Sequence, residues 1–182
     1  MLSINFVPFP LLETERLVLR RPEMKDVDLL FKYRSNREFM HFIPHRYATR
    51  RDEVEQSLQM IHDRINAGEG INWSITEKDS DAIIGMIGYV VFNKAHHRGE
   101  IGYLLFTPHQ GKGFIHEASK AVIDFGFKML NLHSIEAIVN HENMPSKRVL
   151  ERLGFTKDAF FKDYLHHDGK FVSANVYSLV DE

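Results

Sequence analysis

The sequence predicts an α/β protein in which a mixed sheet carries helices on its faces. Short segments of strand-like apolar residues alternate along the chain with segments of helical period. Their order is β-α-α-β-β-β-α-β-α-β-β. The stretch from Ile101 to Val139 runs strand, helix, strand, which predicts two parallel strands joined by a right-handed crossover. With 182 residues, 43% of them hydrophobic and 26% charged, the chain is expected to be one domain, residues 1–182, with a sizeable core.

Residues 1–11 form an irregular lead with two prolines. Thr14 to Arg20 alternates, with Leu17 and Leu19 on one face, and Pro22 ends that strand. Asp26 or a neighbour opens a short helix with Val27, Leu30 and Phe31 on one side. A loop through Pro44 holds Phe39, Phe42 and Ile43, which either line a substrate mouth or cover the core. Thr49 is a candidate N-cap with Asp52 at the capping-box distance. The helix that follows carries Val54, Leu58, Ile61 and Ile65 at helical spacing to about Ala67, where Gly68 and Gly70 stop it. Asn72 to Ile75 begins a strand, Lys78 to Asp81 is a hairpin turn, and Ile83 to Phe92 is the returning strand. Gly85 and Gly88 in that strand mark a bulge or a close neighbour. His96 to Gly99 turns into the strand Ile101 to Phe106.

Pro108 ends that strand, Gln110 to Gly113 makes a tight turn, and a helical period starts at once with Phe114, Ala118, Ala121, Val122, Phe125 and Met129. Ser134 to Val139 is a strand. Asn143 or its neighbour caps a helix that accepts Pro145 in its first turn, faces Val149, Leu150 and Leu153 inward, and stops at Gly154. Phe155 to Tyr164 and Phe171 to Val180 form the last two strands about a turn near His167-Asp168-Gly169.

A net charge of −2 provides no basic field for direct nucleic-acid binding. The absence of cysteine excludes disulfides, cysteine-ligated metal and thiol catalysis, and agrees with a cytoplasmic protein. The N-terminus has no secretory character, and no apolar run approaches the roughly 20 residues a membrane helix needs. The 11 histidines include the pairs His96-His97 and His166-His167. Neither has metal-ligand spacing, so exposed loop histidines and no bound metal are expected.

A strand, a glycine turn and a helix start also make an anion site. The first helical N–H groups lack intrahelical partners and carry partial positive charge. Glycine lets a phosphate approach the backbone, and Lys112 adds a full charge. A plain helix-capping turn is the competing account of Gln110 to Gly113. The absent Lys-Ser/Thr pair excludes a P-loop, and the absent third glycine a Rossmann fingerprint.

Gln110-Gly111-Lys112-Gly113-Phe114-Ile115 resembles the acyl-CoA pyrophosphate loop of the GCN5-related N-acetyltransferases, Gln/Arg-x-x-Gly-x-Gly/Ala, with Ile115 where Gly or Ala is usual. Asn143-x-x-Ser146-x-x-Val149-Leu150-Glu151-Arg152-Leu153-Gly154-Phe155 is similar to that family's second signature. Thr14-Glu15-Arg16-Leu17-x-Leu19-Arg20, Glu100 to Tyr103, and Glu117-Ala118 look like the RimJ/RimL branch, the ribosomal-protein N-terminal acetyltransferases. These matches keep one order and span nearly the whole chain.

The resemblance implies the acyl-CoA N-acyltransferase fold, a central mixed, mostly antiparallel sheet with helices on both faces. It implies that the fourth and fifth strands splay around the pantetheine of acetyl-CoA, with the backbone of Leu104, Leu105 and Phe106 pairing its amides. The pyrophosphate would sit on Gln110, Gly111, Lys112, Gly113, Phe114 and Ile115. An amine would attack the thioester directly. Such amines are largely protonated at neutral pH and need a base. Glu100 is the expected base, through a water, with partial burial raising its pKa; His96 and His97 compete with better intrinsic values. Ser146 is the expected donor to the leaving thiolate, because Leu150 stands where many relatives have a tyrosine. Asn143 either bonds the pantetheine, caps its helix, or does both.

The expected acceptor is a protein N-terminal α-amine, met by a mouth formed by residues 36–47 and 160–170. A small-molecule amine (polyamine or antibiotic) is the alternative, and a non-catalytic acyl-CoA-binding regulatory module a third reading. A homodimer is left open.

Overall fold

The computed structural model describes residues 2–167 and 169–181. Strands β1 (Leu12–Glu13) and β2 (Leu17–Arg20) come first. A 3-10 turn, Met24–Asp26, leads into α1 (Val27–Arg34), α2 (Arg37–Met40) and α3 (Arg51–Asn66). Strands β3 (Ile71–Glu77), β4 (Ile83–Asn93) and β5 (Arg98–Leu105) follow. A second 3-10 turn, Thr107–His109, precedes α4 (Phe114–Lys128), β6 (Ser134–Asn140) and α5 (Met144–Arg152). The chain closes with β7 (Thr156–His167) and β8 (Lys170–Val180). The expected turn at Asp168 lies outside the described residues.

The strands form one sheet in the order β1-β2-β3-β4-β5-β6-β8-β7, and only β5 and β6 pair in parallel. Helices α4 and α5 cover one face: Phe114, Ala118, Val122 and Leu150 join Ile101 and Leu105 in the main core. Helices α1 and α3 cover part of the other, where Val27, Leu30, Val54 and Leu58 meet Met86 and Phe106, with Leu104 against them. Side chains alternate along a strand. Strand β5 therefore points Ile101, Tyr103 and Leu105 toward α4 and α5, and Glu100, Gly102 and Leu104 toward the α1 side.

The decisive feature is where β5 and β6 part. They pair over three rungs only: Arg98 with Ser134, Gly99 with Ile135, and Glu100 with Glu136. Beyond Glu100, β5 stays on β4 as far as Leu105, while β6 stays on β8 through Asn140. Each strand is held by its outer neighbour, and a wedge opens between them.

Several details differ from the expectations. Helix α2 stands where a loop was predicted; four residues are too few to show a period, and the Asn36 carboxamide oxygen caps it by accepting the Phe39 N–H at 3.1 Å. Phe39 covers core, with its ring 5.1 Å from Tyr33 and 6.0 Å from Phe106. Arg50, not Thr49, is the N-cap of α3. Thr49 gives both its N–H and its hydroxyl to Glu53, one residue beyond the expected Asp52. Asp26 opens α1 as its N-cap residue, as expected, but its carboxylate makes no cap bond and is drawn to Arg20 instead. The glycines in β4 have close neighbours: a Cβ at Gly88 would lie 2.0 Å from the Ile71 carbonyl oxygen.

Candidate active site

The wedge exposes one edge of β5. Phe106 commits its N–H to the Ile84 carbonyl at 2.8 Å, on the β4 side. Backbone direction alternates in an antiparallel pair, so Leu104 also faces β4, while Tyr103 and Leu105 face the wedge. Of Leu104, Leu105 and Phe106, only Leu105 offers its backbone there, which narrows the expected set. The Gln110 side chain donates to the Leu105 carbonyl at 2.8 Å and ties the strand end to the loop that follows.

That loop has an open cradle. Gly111 and Gly113 have φ of 75° and 80°, in the left-handed region that favours glycine. A Cβ at Gly111 would meet nothing within 4 Å, and one at Gly113 only the Arg16 guanidinium at 3.5 Å. Gly113 accepts the Glu117 N–H at 3.0 Å as α4 begins, leaving the N–H groups of Phe114, Ile115 and His116 without intrahelical acceptors. Ile115 packs against the main core, so its bulk is turned away from this edge.

A clamp that the sequence reading missed holds the cradle. Glu117 accepts from the Thr14 hydroxyl at 2.5 Å, the Arg16 N–H at 2.8 Å and the Arg16 guanidinium at 2.7 Å. Arg16 also donates to the Lys112 carbonyl at 3.0 Å and lies 4.6 Å above the Phe114 ring. Burial alone would raise the Glu117 pKa, but the bonds from Thr14 and Arg16 outweigh it, and the pKa is lowered. Glu117 thus remains an anion that keeps a cation beside the loop.

Gly113→Val places a β-branched residue at φ 80°, a strain of roughly 1–2 kcal/mol, and fills the cradle. Calorimetry should show acetyl-CoA affinity reduced by about tenfold or more in a variant that still folds. Unchanged affinity would remove the phosphate assignment.

Glu100 occupies the vertex of the wedge, on its last paired rung. Burial raises its pKa above the ordinary 4.5, and the neighbouring Glu136 carboxylate raises it further. Arg98 stands 3.6 Å from Glu136. A groove of about 430 Å³ runs past Arg98, Glu136, Phe161 and Tyr164 on the same face. His96 and His97 lie at the closed end of the wedge, and His97 Nδ1 is 3.2 Å from the Asn131 carbonyl. Three residue steps along the strand separate His97 from Glu100, about 10 Å.

On the opposite face, Ser146 in the first turn of α5 gives its hydroxyl to Tyr103 at 2.9 Å, and Tyr103 donates to the Ser146 carbonyl at 3.3 Å. Burial pushes the Tyr103 phenol up to about 12, the Ser146 bond opposing it, so both hydroxyls keep their protons at neutral pH. Asn143 caps α5 by accepting the Ser146 N–H at 3.1 Å. Its NH₂ has no partner among the described residues. Leu150 is fully buried, so no tyrosine-like group stands there.

A family model described as "Acetyltransferase (GNAT) domain" matches residues 16–156. The chain belongs to the GNAT acetyltransferase family. It is 38% identical to an uncharacterized N-acetyltransferase, p20, of Bacillus licheniformis over 93% of this chain and 95% of that one. It is 30% identical to the [ribosomal protein uS5]-alanine N-acetyltransferase of Escherichia coli (strain K12), over 91% of this chain and 88% of the relative. A spermidine N(1)-acetyltransferase of Vibrio cholerae is 27% identical over 86% and 88%. In fold it matches the structure of RimL, a ribosomal L7/L12 alpha-N-protein acetyltransferase in complex with coenzyme A, with TM-score 0.86 and 18% identity over 94% and 98%.

This GNAT chain is therefore an acetyl-CoA-dependent N-acetyltransferase of the RimJ/RimL-like branch. Its cradle, the Leu105 N–H on the wedge edge and the helix N–H groups without intrahelical acceptors fit the phosphates and amides of that co-substrate. Among the described residues no group of three or more His, Asp or Glu could hold a metal, and no helix is long and apolar enough to cross a membrane.

Proposed function

We propose that this N-acetyltransferase acetylates a protein N-terminal α-amine, with Glu100 as the base and Ser146 as the donor to the leaving thiolate. The observation that carries the division of labour is the wedge itself. Strand alternation puts Glu100 on the α1 face and the Ser146–Tyr103 pair on the α5 face, on either side of one opening. The 30% identity to the uS5-alanine enzyme supports the protein amine. The 27% identity to the spermidine enzyme supports a polyamine as the second reading.

Bound acetyl-CoA supplies an activated thioester. Leu105, Gln110 to Ile115 and Asn143 would hold it. Glu100, with a raised pKa, takes the proton of the incoming ammonium directly or through a water, which frees the lone pair. Ser146 turns its hydroxyl from Tyr103 toward the sulfur, and Tyr103 reverses to donate to Ser146 Oγ. The nitrogen bonds to the thioester carbon, the C–S bond breaks, and the second proton that the nitrogen sheds passes to the leaving thiolate, which the Ser146 hydroxyl steadies by a hydrogen bond strengthened by Tyr103.

Ser146→Ala should lower kcat by about 10², with acetyl-CoA affinity nearly kept, because the charge appears only as the bond breaks. Its thermal midpoint should fall little, since Asn143 is the cap. Tyr103→Phe should lower kcat in the same direction by a smaller factor. Leu150→Tyr is no rescue, because that side chain is buried in the core. A normal kcat with a lowered midpoint in Ser146→Ala would leave the residue structural. Thiol release measured on N-terminal peptides and on spermidine tests the acceptor; use of spermidine alone would replace the first reading by the second.

A further inference from the structure

We propose that the acceptor is an acidic peptide N-terminus, bound through a carboxylate close to its α-amine by Arg34 together with His45 and His167. The inference rests on the N-terminal reading above and names what that acceptor must carry.

The two segments of the mouth meet on the α1 face, at the open end of the wedge. Arg34 is the last residue of α1, and its carbonyl accepts the Ala48 N–H at 3.0 Å, which folds residues 45–48 back beside it. The preceding Tyr33 stacks on Phe106 with ring centroids 3.9 Å apart, anchoring this corner to the end of β5. From the other side comes the tip of β7, where the His167 ring lies 6.1 Å from Tyr47. The corner thus joins the β5 arm to the β6–β8–β7 arm.

The corner holds one fixed positive charge, Arg34, and is under-paired. The Arg34 guanidinium is half-buried and makes no hydrogen bond or ion pair among the described residues. Burial lowers its pKa, and among the described residues the acid whose charge opposes that is Glu53, already engaged by Thr49. His167 Nε2 is enclosed without a hydrogen-bond partner. Burial lowers the His45 pKa, and Arg34 and His167 add to it. Residues 34–47 hold three arginines against one acid, Glu38, in a chain whose net charge is −2. A half-buried guanidinium and an enclosed ring nitrogen are costly when left unpaired. A carboxylate satisfies both, and Arg binds it in bidentate geometry. A polyamine, which is cationic along its length, would be repelled here.

The test compares two hexapeptides that differ only by aspartate or asparagine at the second and third positions, with spermidine as a third substrate. The parent enzyme should favour the aspartate peptide by about tenfold to a hundredfold in kcat/KM. Arg34→Gln should erase that preference through KM, with kcat and the asparagine peptide nearly unaffected, and Arg34→Lys should restore part of it. Equal use of both peptides by the parent, or an equal loss on both in Arg34→Gln, overturns the carboxylate site and leaves the N-terminal reading standing. Turnover of spermidine with neither peptide used overturns both.

Discussion

Glu100→Gln should lower turnover by roughly 10²–10⁴, the usual worth of general acid–base catalysis, and leave acetyl-CoA affinity near the parent value. The amide keeps the shape of the side chain and removes the basic oxygen. The position faces the α1 side, away from the helix starts and the Ser146–Tyr103 pair, so the cradle is untouched. The sign of the pH dependence follows from the environment. Burial and the Glu136 charge favour the protonated form, so the pKa lies above 4.5, and kcat/KM should fall as pH drops through it. Glu100→Gln should lose that acidic limb. Glu136→Gln removes the like charge and should shift the limb to lower pH with a much smaller loss of rate. A rate and pH profile unchanged in Glu100→Gln would move the base to His96, His97 or water.

The largest stability effect is expected at Asp26. Its carboxylate is 2% exposed and accepts two bonds from Arg20, at 2.7 and 2.9 Å, and one from the Ser74 hydroxyl at 2.8 Å. Asp26→Asn leaves the Arg20 guanidinium short of its buried partner, and such losses cost about 3–5 kcal/mol. Asp81, 2.9 Å from Arg20 at the surface, retains part of the pairing and favours the lower end. For a chain of this length the midpoint should fall by roughly 6–20 °C. Burial alone would raise the Asp26 pKa, but Arg20, the Glu23 N–H and Ser74 outweigh it, and the pKa is lowered from 3.8. A lowered folded pKa means the contribution is full above the unfolded value and is lost as pH falls below it. The parent should therefore lose stability below about pH 4 more steeply than Asp26→Asn. Equal midpoints at neutral pH would show that the pair contributes nothing net.

Much of the local structure of the candidate site was legible because its signals are local. Glycines at 111 and 113 announce a left-handed turn before a helix, and Asn143 announces a cap three residues ahead of Ser146. What stayed hidden depends on residues far apart in the chain. Arg16 and Glu117 are separated by 101 positions, and each alone reads as an ordinary exposed charge. Tyr103 stands inside a recognised motif, yet its bond to Ser146 exists only because α5 lays Ser146 against β5. Arg34 and His167 come from opposite ends of the chain, with no periodicity linking them.

By itself the sequence determined most of the strands and helices, α2 excepted, where the glycine turn before α4 lies, and which family the chain resembles. Period, caps and glycine turns are properties of neighbouring residues, and they survive without any knowledge of the fold. Only the tertiary structure decided that β5 and β6 part after Glu100, because that depends on β4 and β8 each holding its own strand beyond that rung. It likewise decided that Leu105, not Leu104 or Phe106, turns its backbone to the wedge. Hydrogen-bond direction follows from which partner a strand has, and that partner is 20 residues away in the chain at Gly85.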